Sequence, residues 1–121
     1  MILPSKFRPA FEHGGYLSEN HGGCLALWTP EEFEKQLRER QSEASNGGEF
    51  RNLARLWAQT SVEVDVDKQG RMLIPARLRE FAQLTAEVLV NGAIDRVELW
   101  NPAVWDSKVK TKVEQQLLEG A

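Results

Sequence analysis

VEVDVDKQGRMLIPARLR, residues 62–79, is the stretch that decides the fold of this chain. Its first six residues alternate valine with acidic residues, and this period of two predicts a half-buried strand. Residues 67–70, Asp-Lys-Gln-Gly, have the composition of a tight turn, in which Gly70 can adopt a positive φ. The stretch therefore begins with a strand that runs into a turn.

A second apolar strand is predicted after the turn, at residues 72–74. Pro75 should end this strand and take the first position of a helix, where a backbone donor is not needed. The helix is predicted over residues 76–84. Its apolar face would consist of Leu78, Phe81 and Ala82. The predicted unit is therefore strand, tight turn, strand and helix.

The turn carries two cations, Lys68 and Arg71. A rigid hairpin can hold cations at a fixed spacing, as contact with nucleic acid requires. The arginine fork can bind guanine or phosphate through two parallel hydrogen bonds, whereas lysine offers phosphate a point charge. Asp67 is expected to order the turn, because its carboxylate would repel phosphate. The alternative interpretation is a solvated surface hairpin with no binding role.

Residues 62–106 resemble the SpoVT-AbrB-type motif of the MraZ family of transcriptional regulators. The resemblance begins at the Asp-Lys-Gln-Gly-Arg turn, 67–71, and continues through Ile-Pro and Arg-x-Arg in 74–79 to Glu-Leu-Trp at 98–100. The turn alone would be a weak signal, but the ordered series is specific. The resemblance implies a regulator that binds DNA and carries over Arg71 as the arginine of the DNA-binding motif.

The resemblance implies more about architecture and partners. Two SpoVT-AbrB-type units would lie in tandem as swapped hairpins and form a pseudo-symmetric, small, barrel-like α+β body. The protein would assemble into a ring-like homo-oligomer and bind double-stranded DNA with repeated boxes. It would act in the nucleoid on the bacterial division and cell-wall gene cluster. Assembly has a physical reason, because linked copies of a weakly binding motif raise the effective concentration.

An internal repeat supports two units. MILPSKFR at 1–8 matches MLIPARLR at 72–79, and LWTPEEF at 27–33 matches LWNPAVW at 99–105. The first pair is offset by 71 residues and the second by 72, so one inserted residue explains the difference. The alternative is coincidence between short apolar segments that contain proline. Two copies of one unit explain the order and the register better.

Four further cations form a second group of candidate DNA contacts. Arg77 and Arg79 lie in the predicted helix, and Lys6 and Arg8 occupy the matching positions of the first copy. Residues two apart do not share a helix face. One member of each pair is therefore expected at the surface, and the other beside a structural carboxylate such as Glu98.

We predict four segments. Residues 1–40 form the first SpoVT-AbrB-like unit, and residues 41–61 supply a linker and a connecting helix. Residues 62–106 form the second unit, and residues 107–121 form a C-terminal helical tail.

The first copy lacks the start that the second copy has. Counterparts of residues 62–71, a strand and a basic turn, would lie before Met1. A hairpin without one strand leaves backbone groups of residues 1–3 unpaired. We therefore expect a mis-assigned start codon, with the missing residues encoded upstream. The alternative is a real loss, with the second copy providing all of the binding.

Local patterns predict the other elements. Thr29, Pro30 and Glu32 are typical of a helix start, as cap, first residue and capping-box acid. In the first copy, we predict a short strand around Tyr16 and Leu17, a strand at 24–28, a helix from Thr29 to about Arg40, and an amphipathic connecting helix at 50–59. In the second copy, we predict strands at 88–90 and 96–100, a turn within 91–95, and a final helix from Pro102.

Charge and composition limit the class of protein. The chain has 121 residues, a net charge of −3 and 41% hydrophobic residues, which is ordinary for a globular protein and argues against indiscriminate coating of nucleic acid. Its apolar runs are too short for a transmembrane helix, and Pro4 interrupts the start of any secretory signal. Cys24 is the single cysteine, which favours the reducing cytoplasm.

Neither a catalytic site nor a metal site is predicted. His13, His21 and Cys24 do not offer four ligands at the tight spacing of a structural zinc site. Glu31 and Glu32 match the acidic first turn of a helix, where they complement the dipole. A Ser-His-Asp ordering and a phosphate-loop glycine pattern are both lacking. We therefore expect no enzyme activity and no cofactor.

Four aromatic residues recur at matching positions of the two copies, and core packing is the preferred explanation. They are Trp28, Phe33, Trp100 and Trp105. The helical tail separates two functions. In an antitoxin-like or other protein-interaction module, the tail would be disordered without its partner. In a regulator similar to MraZ, the tail would pack through Trp105.

Overall fold

The computed structural model describes residues 1–119, so the last two residues of the predicted tail lie outside it. Five antiparallel strands form one sheet in the order β3-β1-β2-β5-β4. The strands are β1 Gly15–Glu19, β2 Leu25–Trp28, β3 Val62–Val64, β4 Leu89–Ala93 and β5 Arg96–Trp100. The sheet is open, with β3 and β4 at its edges, and does not close into a barrel. The α+β class is confirmed.

The helices lie between and after the strands. They are α1 Pro30–Ala44, α2 Gly48–Thr60, α3 Ala76–Phe81, α4 Pro102–Trp105 and α5 Thr111–Glu119. The last two are joined by a π-helical segment, Asp106–Lys110. Short 3₁₀ turns occupy Arg8–Phe11 and His21–Gly23. Among residues 1–119, none of the helices combines the length and apolar character needed to cross a membrane.

The first long helix, α1, begins as predicted and ends later than predicted. Thr29 Oγ1 accepts a hydrogen bond of 3.2 Å from the backbone N–H of Glu32, which is the expected cap. The helix continues past Arg40 to Ala44. Its last four residues are Gln-Ser-Glu-Ala, of which three are good helix formers. The predicted linker is therefore reduced to the three residues 45–47 between α1 and α2.

The sheet is covered on both faces, which explains why all four residues of β2 are buried. Leu25 and Leu27 belong to one apolar cluster, together with Leu3, Met72 and Leu78 of α3. The alternate residues of β2 face a second cluster built with α1 and α2. That cluster comprises Ala26, Trp28, Phe33 and Trp57. The central strand is therefore a continuous apolar run instead of an alternating one.

Three of the four aromatic residues pack in the core as predicted, and the fourth, Trp105, is half-buried. Trp28, Phe33 and Trp100 are buried, and Trp28 Nε1 donates to Ser18 Oγ at 2.8 Å. Trp105 lies edge-on against Trp100, with ring centroids 5.3 Å apart. The tail therefore packs through Trp105 at its start. Further along, α5 exposes three large apolar side chains, Val113, Leu117 and Leu118.

The segment after the turn pairs differently from the prediction. Residues 72–74 do not form a regular strand of the sheet but run beside residues 1–3. Met1 and Met72 exchange hydrogen bonds, since each donates its nitrogen to the other's carbonyl at 2.8 and 2.9 Å. The Leu3 N–H donates to the Gly70 carbonyl at 2.7 Å. The chain start and the central stretch thus form a short two-stranded ribbon. The expectation of unpaired backbone groups in residues 1–3 is therefore wrong for Met1 and Leu3.

Helix α3 is shorter than predicted. Pro75 occupies the N-cap position instead of the first helical position, and the helix ends at Phe81. Gln83 then takes a positive φ of 55°, which stops the helix. Leu78 and Ala82 are buried, whereas Phe81 is 39% exposed and does not belong to the buried face.

Candidate nucleic-acid interface

The turn after β3 is held by the carboxylate of Asp67. The Gly70 N–H donates to the Asp67 carbonyl at 2.9 Å, and the Asp67 N–H donates to the Arg71 carbonyl at 3.1 Å. Asp67 Oδ1 also accepts from the backbone N–H groups of Gln69 and Arg71, both at 2.9 Å. One carboxylate thus satisfies two donors inside the turn, as side chains of this type do. Asp67 orders the turn, as its sequence context predicts.

Gly70 is required by both conformation and space. Its φ is +82°, in the left-handed region that favours glycine. A Cβ at this position would lie 2.5 Å from the carbonyl oxygen of Leu3 and would overlap the guanidinium of Arg8. The turn therefore packs directly against the first strand of the ribbon, and only a residue without a side chain fits.

Arg71 is oriented by the turn and remains accessible. Its Nε donates to Asp67 Oδ2 at 2.7 Å, and its side chain is 66% exposed. Among the described residues, this is the one hydrogen bond that the guanidinium makes. Both of its terminal amino groups therefore remain available for a bidentate contact. Lys68 is exposed on the same turn. The structure thus brings the two leading candidate residues together.

The pKa of the Asp67 carboxyl lies below its ordinary value. The backbone N–H of Arg71 is the main cause, followed by the Arg71 side chain, because both hydrogen bonds favour the charged form. Asp67 therefore stays ionised at neutral pH. A permanent negative charge at this position keeps the Arg71 side chain directed along the turn.

Three of the four remaining candidate cations bind backbone carbonyls. Arg8 Nε donates to the Leu3 carbonyl at 2.8 Å, and Arg79 Nη2 donates to the Ile74 carbonyl at 3.3 Å. Arg77 Nη2 donates to Thr60 at the end of α2, at 3.1 Å. These bonds hold the strand–helix junctions and tie α3 to α2.

Glu98 is not the partner of any of these arginines, so that expectation is wrong. Its carboxylate accepts from Arg96 at 2.9 Å and from Asn20 and Trp100, both at 3.1 Å. Arg96 is its neighbour on β5, two residues away and on the same face, and reaches it without long-range folding. Lys6 instead has its ammonium 5.0 Å from the centre of the Phe7 ring and is exposed.

Cys24 is buried and unreactive. Burial raises the pKa of its thiol to about 11, so that it is protonated at neutral pH. Within residues 1–119, no group of three or more histidine, cysteine, aspartate or glutamate residues could hold a metal ion.

Two exposed apolar side chains beside Arg71 were not predicted from the sequence. Ile2 lies opposite Arg71 in the ribbon, and Leu73 lies two residues after it. Ile2 is 63% exposed and Leu73 is 81% exposed. The alternate residues Met72 and Ile74 are buried. The sequence carries no signal for this alternation, because residues 72–74 are all apolar and suggest a uniformly apolar strand.

Comparisons with known proteins identify the family. The family model described as "MraZ protein, putative antitoxin-like" matches residues 58–119. A protein named "Transcriptional regulator MraZ" from Nocardioides sp. is 36% identical over 105 residues, which cover 87% of this chain and 73% of that protein. A protein of the same name from Cutibacterium acnes is 34% identical over 113 residues, 93% of this chain and 80% of that protein.

A third relative of the same name, from Mycoplasmoides gallisepticum, is 37% identical over 101 residues, which cover 84% of this chain and 71% of that protein. The family match includes the turn at Asp67–Arg71, the ribbon segment after it, and the tail. The resemblance of the central stretch is thereby confirmed, and the chain belongs to the MraZ family.

Proposed function

We propose that this protein is a sequence-specific DNA-binding regulator of transcription. The observation that carries the proposal is Arg71, which is accessible and yet held in one orientation by Asp67. A side chain that is already oriented loses less conformational freedom when it binds. Its free terminal amino groups suit the two acceptors of guanine in the major groove. The relatives that are named transcriptional regulators support the same function.

The charge of the chain favours binding through few, well-placed contacts. With 15 basic and 18 acidic residues, the whole molecule does not attract DNA by net charge. Affinity must then come from a local cluster, and Arg71 and Lys68 form its exposed part. Lys68 would bind phosphate with the same strength on every DNA sequence, whereas Arg71 would discriminate among bases.

Arg8, Arg77, Arg79 and Lys6 form a second group of proposed contacts. Each of the three arginines donates one N–H group to a carbonyl, and a guanidinium has five such groups. The remaining donors can bind phosphate while the junctions stay intact. Arg8 lies against the turn itself, which places it beside the leading candidate, Arg71.

The pairing of the strands supports two tandem, pseudo-symmetric units. The 72-residue offset relates Leu25 to Val97 and Leu27 to Leu99. In the sheet, Leu25 pairs with Leu99, and Leu27 pairs with Val97. Exchange of the two copies therefore maps one pair onto the other, as a two-fold axis between β2 and β5 requires.

The bonds within the ribbon support the same proposed symmetry. Met1 and Met72 are counterparts at the 71-residue offset, and they bond to each other. Arg8 and Arg79 are also counterparts, and each donates to the carbonyl of the residue five positions before it. Swapped hairpins, in which each copy completes the ribbon of the other, would produce this arrangement.

Assembly and target follow from the same proposal. One turn with two exposed cations binds DNA weakly, so a ring-like homo-oligomer that engages repeated boxes in double-stranded DNA would raise the affinity. The edge strand β4 offers unpaired backbone groups that suit assembly. We propose that the protein acts in the cytoplasm, at the nucleoid, and that its target is the bacterial division and cell-wall gene cluster.

The proposed function is tested by binding to the DNA upstream of the protein's own gene. Fluorescence anisotropy should show tighter binding to this duplex than to a scrambled duplex of the same composition. The logarithm of the association constant should fall linearly with the logarithm of the salt concentration, with a slope of about −0.9 for each phosphate contact. Equal affinity for both duplexes at every salt concentration would contradict sequence-specific regulation.

An antitoxin-like or other protein-interaction module is the second candidate function. It is favoured by the exposed side chains of Val113, Leu117 and Leu118, because an apolar helix face suits a protein groove. The packing of Trp105 on Trp100 favours the regulator, since the tail is anchored without a partner. If the protein is a DNA-binding regulator, the double variant Leu117→Ser and Leu118→Ser should bind DNA with unchanged affinity.

A further inference from the structure

The outer face of the ribbon combines a cation with two apolar side chains. In a two-stranded ribbon, directly opposed residues and residues two apart lie on the same face. Arg71 therefore shares its face with Ile2, which is opposite, and with Leu73, which is two residues along. The inner face includes Leu3, Met72 and Ile74, all buried in the core.

An exposed leucine alone carries little information, because most folded surfaces contain some. The position of Leu73 is what distinguishes it. It lies on a two-stranded ribbon, an element that the major groove admits, and beside the arginine proposed to enter that groove. Positive charge at Lys68 and Arg71 complements the phosphates on either side of such a groove. The surface therefore suits DNA better than an uncharged apolar partner.

We propose that Leu73, which shares its face of the ribbon with Ile2, is the residue that recognises thymine through the C5-methyl group. In the major groove, this methyl is the apolar group that distinguishes thymine from the other bases. Arg71 and Leu73 would then read different bases from one face of the ribbon, the first through hydrogen bonds and the second through apolar contact. This inference rests on the proposed DNA binding and adds the class of base that the ribbon selects.

The test uses two versions of the duplex upstream of the protein's own gene, one natural and one with every thymidine replaced by deoxyuridine. The second duplex keeps all hydrogen-bonding groups and lacks only the methyls. The wild-type protein should bind it roughly fourfold more weakly for each methyl group that the ribbon touches, since burial of one such carbon is worth that factor. Leu73→Ala should bind both duplexes with similar affinity.

Leu118→Ala is the matched control. Leu118 is 82% exposed, as Leu73 is at 81%, but it lies on α5. This variant should keep the wild-type preference for thymidine. Circular dichroism should show both variants folded, because neither side chain is in the core. Light scattering should give the wild-type protein and both variants the same mass.

The possible failures are distinguishable. No binding of either duplex by the wild-type protein would overturn the proposed function itself. Binding that depends on Arg71 but is equal for the two duplexes would overturn only the reading of thymine. If Leu73→Ala kept the preference for thymidine, the methyl contact would lie elsewhere and the inference would also be overturned. A changed mass for Leu73→Ala would assign this face to contact between copies and also contradict the inference.

Discussion

Gly70→Ala is expected to destabilise the protein by about 3 kcal/mol and to abolish DNA binding, because a positive φ and a steric clash each cost energy for a side chain. The added Cβ would meet the Leu3 carbonyl at 2.5 Å and the side chain of Arg8. Relief requires the turn to move away from the ribbon, which would displace Arg71. Urea denaturation at fixed protein concentration measures the first effect, and anisotropy titration measures the second.

Gly48→Ala is the control for this substitution. Gly48 begins α2, and a Cβ there would meet nothing within 4 Å. Alanine is a better helix former than glycine, so this variant should be as stable as the wild type or slightly more stable. If Gly70→Ala unfolded at the same urea concentration as Gly48→Ala, the packing of the turn against Leu3 would be wrong.

Arg71→Ala is expected to cost about 1–3 kcal/mol of DNA-binding free energy and to relax the preference among sequences. The fold should be unaffected, because the side chain is exposed and its one described bond is to Asp67. Anisotropy titration against the upstream and scrambled duplexes gives both quantities. The difference between the binding free energies for the two duplexes should shrink by more than their mean weakens.

Two variants separate base contact from general charge. Lys68→Ala should weaken binding to both duplexes alike, as removal of a phosphate contact does. Arg51→Ala removes the same charge as Arg71→Ala from the exposed surface of α2 and should bind like the wild type. If Arg51→Ala and Arg71→Ala weakened binding equally, net charge would explain the affinity and the turn would have no special role.

Local features of this fold could be predicted from sequence because their causes are local. The turn at residues 67–71 depends on Asp67 and on a glycine at one position, and both are visible in the sequence. The start of α1 depends on Thr29, Pro30 and Glu32 for the same reason. Such features need no knowledge of the rest of the chain.

Features that depend on distant partners could not be predicted. Residues 72–74 have the composition of a strand, but their partner is the chain start, which is 71 residues away. Residues 72–74 are also all apolar, so the sequence does not say which of them faces the core and could not reveal the exposure of Leu73. The partners of the arginines are carbonyls, and every residue has one, so sequence cannot single out Leu3, Ile74 or Thr60.

Hydrogen exchange with and without the upstream duplex tests most directly whether the turn binds DNA. Mass-spectrometric detection of exchange can be applied to an oligomer of any size and locates protection along the chain. We expect DNA to slow exchange in peptides that cover residues 66–74 and to leave peptides of α5 unchanged. Protection confined to α2 or α5, with unchanged exchange in residues 66–74 at saturating DNA, would contradict the assignment of the binding surface.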